Sequence, residues 1–254
     1  MLSLVDAALV NVHDPAVPTP RDQARARTLG EITRIGRAHL ASSGAAGLSL
    51  RAVARDLGVV SSAIYRYVPS RDELLTLLVV DAYSELGEAV SAADASLPRE
   101  DLAGRWRAVA GSVRHWALAE PSRYGLVFGT PVPGYHAPVE RTTGPGTRVI
   151  VLLLQLAVDA EAAGARPVAA AAAAPGSGSL QEDAERVRAE YGLALSDEML
   201  TAAVLVWVAL FGGVSFEVFG QFGPDTFSDP REMFTALVEV LAVVLGLQAT
   251  RVAP

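Results

Sequence analysis

The residues whose types and spacing most clearly suggest a task lie between Ser49 and Val68, which read SLRAVARDLGVVSSAIYRYV. A helix–turn–helix needs a small residue where its two helices cross, and Ala54 is one. A few residues on it needs a turn residue that tolerates positive φ, and Gly58 is one. Val53, Leu57, Val59, Ile64 and Tyr67 fall where the inner side of such a unit has to be apolar. Ser49 is expected to cap a short helix over 50–57, and Ser61 a second that runs through Tyr67 until Pro69 stops it.

Cationic charge gathers in the same place. Between residues 21 and 71 stand Arg21, Arg25, Arg27, Arg34, Arg37, Arg51, Arg55, Arg66 and Arg71 against Asp22, Glu31 and Asp56, a balance of +6. Residues 1–20 carry −2 and residues 72–254 carry −11, so the net charge of −7 hides a basic block on an acidic body. That asymmetry implies a local surface for a polyanion. Every basic residue is Arg, which is partly a matter of composition and by itself says little about phosphate recognition.

Other chemistries find little support. The chain has no Cys, which excludes disulfides, thiolate metal sites and Cys nucleophiles and fits a reducing cytoplasm. Gly213-Val214-Ser215-Phe216-Glu217 fails the nucleophile-elbow pattern at its last position. Gly144-Pro145-Gly146 lacks the third glycine of a dinucleotide loop. His13, His39, His115 and His136 have no metal-ligand spacing. No catalytic residue, metal or cofactor is expected. Residues 1–20 lack the basic start of a signal peptide.

The elements that must position the Ser49–Val68 unit are helical. A helix is expected over 22–43, with Leu29, Ile32, Ile35 and Leu40 inward. Ser70 and Glu73 suggest a capping box that opens a long helix with Leu74, Leu75, Leu78, Ala82 and Leu86 as its buried stripe. Further helices are expected over about 101–119, from Pro121 to near Gly129, over 147–164, 181–191, 197–222 and 230–247, with a loop over 129–146. The fold class is therefore all-α. An N-terminal arm (1–20) precedes a three-helix helix–turn–helix domain (21–68) and a larger helical domain (69–254) with a flexible linker at about 165–180. The uncharged run Met199–Phe216 approaches the length of a membrane span, but acids flank it and Gly212-Gly213 interrupt it, so a buried helix and no membrane partner are expected.

The segments LSLRAVARDLGV and AIYRYVPSRDELL, after the long helix that ends at Gly44, resemble the tetracycline-repressor family over roughly residues 25–80. WALAEPSRYGLVFG and VLVWVALFGGVSFEVFGQFG resemble, more loosely, a WHG-type subgroup of that family. The resemblance implies a transcriptional regulator that binds double-stranded DNA. Ser61, Ser62 and Ala63 would open the recognition helix and face base edges. Tyr65 and Tyr67 match positions that contact phosphates, Arg51 could reach a guanine or a phosphate, and Arg66 adds charge. Ser70 opens the next helix, and Arg71 beside it would hold a phosphate. The long segment at 165–180 departs from compact relatives.

Aromatic residues concentrate in the C-terminal part and suit a cavity for a small apolar effector, with Trp116, Tyr124, Phe128, Gln155 and Trp207 as its expected lining and His115 and Arg148 as further polar candidates. The helices at 197–222 and 230–247 are apolar on more than one side, which implies a homodimer built on them. Two alternatives stay open: a DNA-binding regulator without small-molecule input, and a helical small-molecule carrier.

Overall fold

The computed structural model describes residues 19–168 and 178–247. Among these the chain is all-helical, without a strand. The expected N-terminal arm lies, but for its last two residues, outside the described residues, as does most of the expected linker.

Helix α1 (Pro20–Ser43) begins earlier than its apolar pattern. Thr19 accepts from the Asp22 amide while the Asp22 carboxylate accepts from the Thr19 amide, so two orphan donors of the first turn are satisfied reciprocally. A single 3-10 turn (Ala45–Gly47) leads to α2 (Leu50–Asp56), capped by Ser49, and then to α3 (Ser61–Ile64). Ser61 is the first helical residue of α3 and not its cap: Val60 holds the N-cap position and offers no side-chain acceptor. The chain continues through turns, with Tyr67 and Val68 donating to the carbonyl of Ile64.

Ser70 caps α4 (Arg71–Ala95) by accepting from the Glu73 amide. The reciprocal half of the expected box is not made, because the Glu73 carboxylate accepts from Arg141 at 2.7 Å instead. Helices α5 (Leu102–Ala119) and α6 (Pro121–Phe128) follow with a tight join at Glu120. Helix α7 spans Val139–Ala162, so the loop ends at residue 138 and not 146. Gly144-Pro145-Gly146, expected to break the chain, lie inside it. Pro145 removes one donor, and the Thr147 hydroxyl donates to the Thr143 carbonyl beside it. Helices α8 (Gly178–Tyr191), α9 (Asp197–Val218) and α10 (Pro230–Val244) complete the order. Of the expected linker, residues 178–180 belong to α8, and Pro167 is buried.

Two apolar cores result, and α4 serves both. Leu74, Leu75 and Leu78 join Ile32, Leu40, Val53, Ala54, Ile64 and Val68 in the first. Ala82, Leu86 and Val90 join Trp106, Val113, Tyr124, Leu156, Met199 and Leu210 in the second. Val59, expected in the core, is exposed, because the turn that follows Gly58 carries it outward.

Helix α9 is long and apolar enough to cross a membrane by length and composition, and only part of it is buried. Met199, Ala202, Ala203, Val206, Leu210 and Val214 pack inward, whereas Val204, Leu205, Val208 and Phe216 face out. Leu200 is buried as well. Helix α10 crosses α9 at Gly213, where a Cβ would overlap the Leu237 side chain.

Candidate nucleic-acid interface

The first core holds α2 and α3 at a fixed angle. Ala54 is fully buried where they cross, so no larger side chain fits without pushing them apart. After α2 the Val59 amide donates to the Ala54 carbonyl at 3.0 Å across Gly58, whose φ is +77°. This is a helix end closed by a left-handed glycine, and it sets the direction in which α3 departs. With Ile64 and Val68 buried, Ser61 and Ser62 are turned to solvent and Ala63 is half-buried. Tyr65 is exposed, while Tyr67 is half-buried with the Arg25 guanidinium 5.5 Å above its ring. Arg25 also donates to the Arg66 carbonyl at 3.5 Å, so α1 braces the end of the α3 segment.

The arginines divide by what they touch. Arg51 and Arg66 are exposed, and neither has an ion-pair partner among the described residues. Arg21 and Arg27 are exposed in the same way. Arg71 donates to the Ala45 carbonyl at 2.7 Å, which ties the turn after α1 to the start of α4. A side chain held there offers a phosphate only part of its fork. His39 on α1 meets Asp56 on α2 at 2.7 Å, and this contact, with Arg55 beside it, holds the Asp56 carboxyl below its usual range. Exposed, uncompensated guanidinium groups around a protruding short helix make a surface that attracts phosphates and offers hydroxyl and ring edges to what lies between them.

Behind this surface the helix–turn–helix unit is wired to the rest of the chain. Arg37 of α1 clasps Asp81 of α4 through two bonds of 2.7 and 2.5 Å and reaches Glu85 at 2.9 Å. Arg123 of α6, only 2% exposed, binds the same two carboxylates, Asp81 at 3.0 Å and Glu85 at 2.7 Å. The Trp116 ring N–H donates to Glu85 at 3.1 Å, and the Arg123 guanidinium lies over that ring. The hydrogen bond from Arg123 is the main reason that the Glu85 carboxyl is held below its usual range, against the opposing effect of burial. Sequence spacing gave no sign of this cluster, since, apart from the i,i+4 pair Asp81 and Glu85, its members are spread over four helices.

The expected effector residues are not gathered around an opening. Tyr124 is fully buried, its hydroxyl paired with Ser215 at 2.8 Å, and its ring packs on Phe128 at 4.9 Å. Phe128 packs on Phe211 at 4.8 Å, and Phe211 on Trp207 at 6.2 Å. Trp116 belongs to the ion cluster, and Gln155 is exposed on α7. Two open clefts lie elsewhere. One of about 840 Å³ runs between α5 and α10 and includes His115, Arg114 and Phe234. Another of about 410 Å³ lies between α4, α6 and α7, with Val79, Tyr83, Val132, Tyr135 and Thr142 in its walls. Tyr83 connects this second cleft to the rings, meeting Phe128 edge-on at 5.8 Å. Arg148, the other polar candidate, packs along α4 at Gly87 and is 3.9 Å from Glu88.

The chain is similar to known proteins over nearly all its length. A family described as tetracyclin repressor-like, C-terminal domain, matches residues 106–241. The HTH-type transcriptional regulator Rv1816 of Mycobacterium tuberculosis (strain ATCC 25618 / H37Rv) is 45% identical over 232 residues, covering 89% of this chain and 95% of that protein. A counterpart from Mycobacterium bovis, Mb1846, matches to the same extent. Among solved structures, the regulatory protein SCO4313 superposes with a TM-score of 0.69 at 33% identity, over 88% of this chain and 98% of that one. A tetR family transcription regulator from Shewanella sp. PV-4 shares the fold, with a TM-score of 0.54 at 15% identity over 86% of this chain and 96% of that one.

Proposed function

The chain belongs to the tetracycline-repressor family of DNA-binding transcriptional regulators, homodimeric proteins that are not enzymes, and from that premise we propose that it is a cytoplasmic, ligand-responsive repressor. Its dimer would hold two α3 segments about 34 Å apart, one turn of B-DNA, on a palindromic operator. Ser61, Ser62 and Ala63 would face the bases, Tyr65, Arg66, Tyr67, Ser70 and Arg71 the backbone, and Arg51 a guanine or a phosphate. The two subunits would meet through α9 and α10, the helices that leave apolar side chains uncovered.

The observation that carries the regulatory part is the shared carboxylate pair. Arg37 and Arg123 draw on Asp81 and Glu85 together, so α6 cannot move without changing what holds α1. An effector that favours another placement of α6 would shift the dimer toward a spacing that no longer fits the operator. Support for a small apolar effector comes from the cleft of about 410 Å³ beside α6, whose Tyr83 abuts the ring chain of Phe128, Tyr124 and Trp207. The ring chain is closely packed as it stands, and this favours the second reading, a regulator that works without a small molecule.

One experiment separates the two. Operator DNA is recovered from a random pool with the full-length protein, and a panel of hydrophobic compounds is tested for thermal stabilisation and for release of that DNA. A sensor is stabilised by some compounds and releases DNA with them, by RT ln(1 + [L]/Kd). If DNA is bound but no compound alters either signal, the regulator has no small-molecule input of this class.

A further inference from the structure

We propose that Val60 is a sequence-reading residue, and that its side chain contacts the C5-methyl group of a thymine in each half of the operator. The inference rests on α3 entering the major groove, as proposed above. Its starting point is an oddity of the fold: the N-cap of the recognition helix is a valine, and no side chain caps the helix. Ser, Thr, Asn and Asp are the residues that satisfy a first-turn amide from this position, so valine is a poor choice for stability. Nor does Val60 repair the loss by packing inward. Its backbone is extended (φ −65°, ψ 143°), and it is 71% exposed.

An apolar side chain so exposed, immediately before Ser61 and Ser62, has a chemical use on DNA. In the major groove thymine alone of the four bases presents a methyl group, and small apolar side chains are its natural contacts. Its neighbours suit that contact less: Ala63 is half-buried, and Val59 is much less exposed than Val60. Ser61 and Ser62 offer hydroxyls, and Arg51 and Arg66 offer charge, each better suited to polar edges or phosphates. Val60 thus supplies the most exposed apolar side chain of this run, at a position where the helix has no capping side chain.

The test removes the methyl without disturbing the base pair. Each thymine of the selected operator is replaced in turn by deoxyuridine, and affinity is measured for the full-length wild type and for Val60→Ala and Val60→Ser. The wild type should lose about three- to tenfold at one symmetric position, the scale expected for one buried methyl group, and bind the other substituted duplexes normally. Val60→Ala should lose most of that sensitivity there. Val60→Ser should lose it as well, yet melt at a higher temperature because the cap is restored, which keeps a folding defect from mimicking the result. Wild-type binding that is indifferent to every substitution overturns the proposal, as does sensitivity undiminished in Val60→Ala. Failure to bind any DNA would instead remove the premise that α3 reads the groove, and the proposal with it.

Discussion

At the scale of single residues, the joint between α1 and α6 is electrostatic, and its sign can be worked out. Glu85 titrates below its ordinary value of 4.5 because Arg123, and then the Trp116 N–H and Arg37, favour the carboxylate. A lowered carboxyl contributes stability above its ordinary value and loses it as the pH falls through the lowered one. Glu85→Gln should therefore destabilise the protein near neutral pH, and the difference from wild type should shrink as the pH falls below 4.5. Denaturant melts at a series of pH values check this; a difference that grows toward acid would refute it. None of this was legible in the sequence. Asp81 and Glu85 share one face of α4, but no period relates them to Arg37 or Arg123, and only packing brings the four together. The same scale explains the mistaken cap: Ser61 looks like an N-cap because serine so often is one, and nothing in its type shows that the chain begins the helix one residue early. Val59 looked apolar and therefore internal, but the glycine before it decides the direction of the turn.

At the scale of elements, the helix–turn–helix was the most legible part because several independent signals agree in it: the Ser49 cap, the small Ala54, the positive-φ Gly58 and the buried Ile64. Gly58 makes that agreement testable. A Cβ there meets no neighbouring atom, so substitution costs only the backbone strain of φ +77°, about 1–2 kcal/mol for an L residue. Gly58→Ala should lower thermal stability by that amount and weaken operator binding, since relaxing the strain re-aims α3. A melt combined with a DNA titration reads both, and unchanged affinity would show that the turn angle is unimportant. Helix α7 was less legible for a physical reason. Proline and glycine mark breaks because they lose a donor or add chain freedom, but here the Arg141–Glu73 ion pair and the Thr142 bond to the Pro138 carbonyl fasten the segment before Pro145. The effector residues were read from the concentration of rings, and rings serve a packed core as well as a cavity; composition cannot distinguish the two.

At the scale of the whole molecule, the outward strip of Val204, Leu205 and Val208 on α9 with Val240 and Val243 on α10 is the surface a second subunit would cover. Val240 is 60% exposed and Val244 is largely covered, so Val240 is the cleaner probe. Val240→Glu should leave the helical content intact, yield monomers by light scattering and reduce operator affinity by at least about tenfold, because a single half-site forfeits the second subunit's contacts. A folded, dimeric Val240→Glu would move the interface elsewhere. The helix α4, which supplies Leu74, Leu75 and Leu78 to one core and Ala82, Leu86 and Val90 to the other, has a consequence of another kind. A break after Val68 would strip the N-terminal core of three of its leucines, so that core is no module that can be lifted out and expected to stand. Heat or denaturant that loosens the far end of α4 withdraws support from the near end as well, and the two cores should melt as one cooperative unit. A substitution deep among the C-terminal helices, far from any base pair, then reaches the operator through the folded fraction as well.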